Sequence, residues 1–499
     1  MLALRALLIA AALAGCATLD RPFGEHLESS AVVVRDCAEW FAALDEAIDA
    51  AGVRDAQETR IPGFPYLRVN RPLSALRDRA AKDAGAVQAF ALRLAALDYS
   101  ARSAEIANLP DDRLQGLPAL TVPGSRREAV ARTRDCGHLL REIDVAKPEA
   151  RRLLLERAEV PDDYSAPLRV LGLYALTRYP FASGVRRWEA EMSAAFAREP
   201  RAGAGVPVVR YAPPSALQRP RASIERLLAT SSANPLGLPE PEAQDLADML
   251  ASLAPSFEIE VAGDYDRFGP LRWLRERQVP AVDGSAQVVY AHASRTRYRG
   301  HVLLQLVYTI WFPERPPRER DDILAGALDG LTWRVTLAPD GEPLVYDTIH
   351  PCGCFHMFFP TPRVRVLPAP DGIEEWAFAP QQLPRLQPGE RPLLHVASGT
   401  HYIEQVSLVH GIDSVARYEL RDYEELRSLA RLEGGSRSAY GPDGLIVGTE
   451  RAERFLFWPM GIRSAGAMRQ WGRHATAFVG RRHFDDADLF ERRFDFDLR

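Results

Sequence analysis

The segment Ile349-His350-Pro351-Cys352-Gly353-Cys354-Phe355-His356-Met357 places two thiols and two imidazoles at alternate positions. Soft sulfur and nitrogen donors in one short stretch suit zinc or copper. On a straight strand all four would share one face, spread over ~20 Å at ~3.3 Å per residue, too far apart for one ion. Pro351 and Gly353 permit a bend that would turn at least two of the four into one pocket. The spacing is not that of a zinc finger, and it is not the C-x-x-C-H of haem attachment. Of the chain's 11 histidines, seven fall between His292 and His410, and His301, His395 and His401 are the outside ligands expected to meet His350, Cys352, Cys354 and His356. Glu404 is the carboxylate placed to act as a general base beside a metal-bound water, or else a solvent-facing residue of a strand. Two further readings stay open. Cys352 and Cys354 could form a strained, redox-active disulfide. Alternatively the thiols are structural, and the histidines sit in a core with their nitrogens satisfied.

The N-terminus bears on which chemistry is available. Met1 to Gly15 carries one early cation, Arg5, followed by an unbroken apolar stretch of about ten residues, a signal-peptide core too short to span a bilayer. It closes on Leu13-Ala14-Gly15-Cys16, which resembles the lipobox of bacterial lipoproteins. The resemblance covers the first sixteen residues and implies cleavage before Cys16, thioether lipidation of its sulfur and acylation of the new amino terminus. Several acyl chains, at ~0.8 kcal/mol per buried methylene, make a stable anchor. Ala17 follows rather than Asp, so the resemblance implies an outer-membrane protein of the cell envelope facing the periplasm, with the membrane as its first partner. An oxidising compartment makes cysteine pairing relevant. Without Cys16, the chain has Cys37, Cys136, Cys352 and Cys354, an even number. A Cys37–Cys136 bridge is the simplest pairing, because both fall in a helical half, with two buried reduced thiols as its alternative.

The elements that must position these residues divide by texture. A chain of 499 residues with 46% hydrophobic and 26% charged residues is globular rather than disordered. A net charge of −5 gives no basis for a nucleic-acid partner. Lys82 and Lys147 are the only lysines among 62 basic residues, so a single arginine carries little information. Residues 1–15 are the leader and 16–30 a polar tether. Residues 31–199 read as helical, with Trp40, Phe41, Leu44 and Ile48 at helical spacing. Residues 200–222 are rich in Pro, Gly and Ala, and read as a linker or surface arm. Residues 223–499 read as an α+β domain carrying the His/Cys segment.

Within that domain Phe257, Ile259 and Val261 alternate as a half-buried strand, and His301–Phe312 is apolar on both faces, as in a central strand. Strands over 332–337 and 343–348 flank Ala-Pro-Asp-Gly-Glu, which has the chemistry of a hairpin turn. Tyr418–Leu432 and Ala465–Arg473 read as helical, and Leu445–Val447 as a strand. The aromatic run from Phe455 to Met460 reads as core or interface rather than a ligand box. No nucleophile elbow, zincin, Walker or dinucleotide fingerprint is present. The sequence therefore predicts an α+β envelope lipoprotein that is metal-binding or metal-dependent, a non-catalytic scaffold, or a thiol–disulfide redox protein. Its protein partner or small-molecule substrate stays open.

Overall fold

Trp40, Phe41, Leu44 and Ile48 are all fully buried and form the inward stripe of α1 (Val32–Ala51). The computed structural model describes residues 21–198, 205–214, 218–275, 277–411 and 416–498; Cys16 and the leader lie outside the described residues. After α1 come a short hairpin, β1 (Thr59–Ile61) and β2 (Phe64–Val69), and three helices, α2 (Ala84–Asn108), α3 (Arg126–Ala146) and α4 (Pro148–Arg157). Asp83 caps α2 by accepting the Ala86 N–H at 2.8 Å, and Ser125 caps α3 at the Glu128 N–H. Cys37 on α1 and Cys136 on α3 are disulfide-bonded with Cα atoms 5.1 Å apart, a bridge spanning 99 residues. Closing a loop of that length removes ~4.7 kcal/mol of chain entropy from the unfolded state in the simplest model.

One stripe of α2 is polar where an amphipathic helix would be apolar. Asp98, Arg102 and Glu105 recur one turn apart and are all buried. They meet Arg68 of β2, which donates to Asp98 at 3.1 Å and to Glu105 at 2.8 Å, while Arg102 pairs with Asp45 of α1 at 2.5 Å. Burial alone would raise the Glu105 carboxyl, but Arg68 and Arg102 outweigh it and hold it near 2. A buried network of this kind contributes register more than net stability, because desolvation offsets much of the Coulomb gain.

This first unit runs to Pro161 and takes back residues 435–443; the second holds 162–434 and 444–499. The division therefore falls before the position near 199 that sequence texture suggests. Tyr164 fixes the start of the second unit with its hydroxyl held between the carbonyls of Ala477 and Arg482, and Arg169 donates to those of Met460 and Gly480. Its elements are α5 (Ala166–Leu171), α6 (Tyr174–Phe196), β3 (Val208–Ala212), α7 (Arg221–Ser231), α8 (Ala243–Leu253), β4 (Ser256–Glu260), β5 (Val288–Tyr298), β6 (His301–Arg315), β7 (Gly326–Leu337), β8 (Pro343–Ile349), β9 (Met357–Pro360), β10 (Arg391–Val396), β11 (Ile403–Val409), β12 (Ala416–Arg417), β13 (Glu419–Asp422) and α9 (Arg454–Phe457), with shorter pieces between. The protein is thus α+β, helical first and sheet-rich after.

Two large sheets dominate the second unit, beside small two-stranded pairs. The larger runs β9-β8-β7-β6-β5-β13, antiparallel except for the parallel β13 edge; the smaller runs β11-β10-β4-β3-β12. Leu306, Tyr308, Ile310, Phe312, Leu331, Trp333 and Val335 of the first sheet pack with Phe257, Ile259, Leu394 and Val406 of the second in one core. The opposite face of the large sheet carries a polar row: Thr309 against Thr332, Gln305 against Thr336, and Arg334 against Asp347.

Four expectations change. Val208–Ala212 is a sheet strand rather than part of a linker or arm, held between β4 and β12. Tyr418–Leu432 is not a helix: Glu419–Asp422 pairs in parallel with Val288–Ala291, and a short 3-10 turn follows. Ala465–Arg473 is turn-rich rather than helical, and Leu445 makes one isolated bridge, to Arg469, instead of a strand.

Candidate functional site

The His/Cys segment bends. Gly353 N–H donates to the His350 carbonyl at 2.8 Å, and His350 N–H to the Cys354 carbonyl at 3.0 Å, closing a tight loop after β8. Gly353 adopts φ +88°, and a side-chain carbon there would come 2.5 Å from the Ala475 carbonyl oxygen, so glycine is required twice over. Gly330 on β7 is required for the same loop, since a Cβ would meet Pro351 at 2.8 Å. Arg469 completes the clamp: its N–H donates to the Pro351 carbonyl and its Nε to that of Cys352.

The bend sends the four donors three ways. His350 lies with Asp329 on the core face of the large sheet, donating from Nδ1 to Oδ1 at 3.1 Å. His356 pairs with Asp347 at 2.9 Å. Asp347 is registered against Arg334, five residues from Asp329 along β7, so the two histidines occupy opposite faces of one sheet. Cys352 and Cys354 are not disulfide-bonded, are buried, and lie close enough to shift each other's ionisation. Among the described residues no three His, Cys, Asp or Glu side chains gather as a metal-ligand set.

The outside histidines also separate. His401 reaches the cluster: its Nδ1 donates to Asp329 Oδ2 at 2.9 Å, its Nε2 faces Asp266 Oδ1 at 3.4 Å, and its ring stacks on Phe312 at 3.9 Å. His395 is on β10, between Glu258 and the Ser407 hydroxyl. His301 is exposed at the far end of β6, nine residues from Ile310, about 30 Å along the strand, and lines an open groove of about 550 Å³ with Arg299, Arg363, Arg365 and Asp495. Glu404 is exposed on β11.

Asp329 is the hub. Its carboxylate accepts from both imidazoles and lies 3.3 Å from the Arg451 guanidinium. Burial alone would raise it; His350, Arg451 and the imidazole hydrogen bonds overcome that and hold it well below the carboxylate range. Burial lowers the His350 imidazole. His401 is also penalised by burial, but two flanking carboxylates prevail and raise it. Asp266, gripped by the N–H groups of Ala262 and Gly399 and the Ser398 hydroxyl, belongs to the loops of the small sheet. The chain Asp266–His401–Asp329–His350 thus stitches the two sheets at one end of their shared core.

Arg451 links this stitch to the thiols. Burial opposes ionisation of Cys352, yet the Cys354 S–H and the Arg451 cation lower it, while its neighbour pushes Cys354 well up. The pair therefore holds one proton loosely and one tightly. Glu453, buried beside them, has its carboxyl pushed by burial up to about 7. The thiols open on a cavity of about 10 Å³, room for one water, walled by Ile462, Ala465, Gly466 and Phe478. Leu328, Phe355 and His401, three of the seven non-glycine residues with positive φ among those described, surround this cluster. Each costs about 1–3 kcal/mol, and such outliers concentrate where function fixes geometry.

Asp266, Asp329, Arg451 and Glu453 escape a sequence search for soft donors. The signal that could have found the hub is an acidic residue inside an apolar strand, Gly326-Ala-Leu-Asp329-Gly-Leu-Thr-Trp333. No family model, curated protein or solved structure matches the chain, so the chemistry of this site is read from its own geometry.

Proposed function

We propose that the chain is a lipid-anchored envelope protein whose Cys352–Cys354 pair is a redox-active dithiol, oxidised by a small molecule of the peroxide class. The observation that carries this reading is the contact between the two thiols, in a cavity sized for one water and beside Arg451. With Cys352 and Cys354 2% and 9% exposed, a protein disulfide has no line of attack, whereas a molecule little larger than water does.

The chemistry balances with the groups present. Cys352 passes its proton to Glu453 and attacks one peroxide oxygen; the O–O bond breaks, and the departing hydroxide takes the Glu453 proton as water. Cys352 is then a sulfenic acid. The Cys354 sulfur attacks it, the S–O bond breaks, and the second water leaves with the Cys354 proton. Two thiols are oxidised to one disulfide, and one peroxide is reduced to two waters.

Native protein treated with hydrogen peroxide is expected to lose two free thiols per chain and yield a peptide with Cys352 and Cys354 joined. Cys354→Ser should instead stop at a sulfenic acid, read as one added oxygen on the Cys352 peptide by mass spectrometry. Thiols that stay unreactive until the protein is denatured would overturn the reading. So would stoichiometric zinc or copper, bound as purified and protecting both thiols, which would favour a metal site.

The anchor is tested separately. Among the described residues no helix is long and apolar enough to cross a membrane. Cys16→Ala is expected to abolish labelling by radioactive palmitate and to leave the leader uncleaved. Normal processing and unchanged labelling of the variant would remove the lipoprotein assignment.

A further inference from the structure

The largest group of exposed apolar side chains in the second unit lies at one corner. Val170, Leu171, Leu173, Leu176, Phe455 and Leu456 are 56–75% exposed. They come from the elbow between α5 and α6 and from α9, and the two are held together. A Cβ at Gly172 would overlap Pro459, and Phe181 packs on Phe457 at 5.1 Å. Leu173 turns the elbow at φ +48°, which thrusts the leucines outward instead of folding them onto the core. A monomer rarely presents so many large apolar groups in one contiguous patch without a use for it.

The two stretches that build the patch are rich in arginine, although Asp162, Asp163 and Glu375 pair with Arg481, Arg473 and Arg482. Residues 164–188 contain four arginines and no Asp or Glu, and residues 454–484 contain six arginines and again no Asp or Glu. Some of these serve the fold, such as Arg169 and Arg482. Arg178 and Arg454 instead lie on aromatic faces at the patch, over Tyr179 at 5.4 Å and Phe455 at 4.8 Å, and Arg186 and Arg187 are exposed further along α6. Tyr179 and Trp458 sit at its rim, 54% and 38% exposed.

Protruding leucines, an aromatic rim and arginines close to both are what the boundary of an anionic bilayer accepts. The apolar tips enter the acyl region, the rings sit at headgroup level and the cations meet lipid phosphates. We infer that the α5–α6 elbow and α9 form a membrane-docking face that binds anionic phospholipid independently of any acyl anchor. The face backs onto the thiol cavity, since Phe478, one of the cavity walls, packs on both Phe181 and Phe457.

The test uses the chain from Ala17 onward, which contains every described residue and carries no lipid. It is expected to co-sediment with vesicles of phosphatidylethanolamine and phosphatidylglycerol, more weakly as salt rises, and far less with phosphatidylcholine alone. Leu171→Glu with Leu176→Glu should weaken that binding about tenfold or more, because each change puts a charge where an apolar tip would insert. Both positions are exposed, so thermal unfolding should match the parent chain. Absence of vesicle binding by the parent chain would overturn the inference, as would undiminished binding by the double variant. Concentration-dependent self-association that the double variant abolishes, without vesicle binding, would reassign the face to a second copy of the chain.

Discussion

Between pH 6 and pH 5 the protein is expected to lose stability at roughly 2–3 kcal/mol per pH unit. The cause is a set of histidines kept neutral by burial. Burial lowers His292 to about 4, and His356 and His474 to about 3; His350 is lowered as well. In the unfolded chain each returns to about 6.5. Below that value the unfolded state binds protons that the folded state refuses, so stability present above pH 6.5 is lost as pH falls towards the folded values. Other groups are raised instead, among them the buried carboxyl of Glu375. His401 is protonated in both states over this window and contributes little to the slope. Glu453, pushed up to about 7, takes a proton in the folded state first and offsets one histidine. The lowered histidines, less what Glu453 and the other raised carboxyls take back, leave about two protons, at ~1.4 kcal/mol per unit each. Urea midpoints followed by fluorescence at pH 7.5, 6 and 5 measure this directly. His356→Gln should flatten the slope by about one proton. A midpoint that does not move between pH 7 and 5 would show that these histidines titrate normally.

Much of the scaffold was legible because local chemistry and tertiary packing agree there. The Ala-Pro-Asp-Gly-Glu turn closes the β7–β8 hairpin, and His301–Phe312, apolar on both faces, lies mid-sheet with strands on either side. Disagreement begins where charged residues of high helical propensity are used in extended structure. Glu419–Asp422 reads as helix from its Glu, Leu and Arg content, but the free edge of β5 recruits it as a parallel strand, and pairing overrides propensity.

The site was half legible for a similar reason. Alternation singled out His350, Cys352, Cys354 and His356, and Pro351 and Gly353 as the positions where their strand could bend. Alternation alone could not reveal that the bend would divide the segment. Once Gly353 turns at φ +88°, the cysteines meet and the two histidines leave to opposite faces. Their partners, Asp329 and Asp347, are single carboxylates in apolar strands, which composition and periodicity both treat as interruptions. They are interruptions that the fold uses. One stitches the sheets on the core face, and the other anchors Arg334 and His356 on the opposite face.

Replacing Asp329 by alanine is expected to cost about 3–5 kcal/mol, the penalty for removing one partner of a buried ionic cluster. Three donors depend on this carboxylate: Nδ1 of His350, Nδ1 of His401 and the guanidinium of Arg451. All are buried, so none recovers a water when the acceptor goes. Asp329→Asn keeps the shape and one acceptor oxygen but removes the charge, and should cost less. Its informative effect is on the thiols. Arg451 divides its field between Asp329 and the cysteines, so neutralising Asp329 leaves Cys352 facing a less compensated cation. The apparent pKa of the more acidic thiol should therefore fall, and its alkylation by a small reagent such as iodoacetamide near pH 7 should quicken by several-fold. A lost charge that loosens the fold would expose both thiols and raise alkylation at every pH, whereas the electrostatic effect moves the titration midpoint and leaves the high-pH plateau unchanged. If the Asn variant keeps the parental midpoint at parental stability, Arg451 does not couple the carboxylate hub to the dithiol, and the two are neighbours without a shared role.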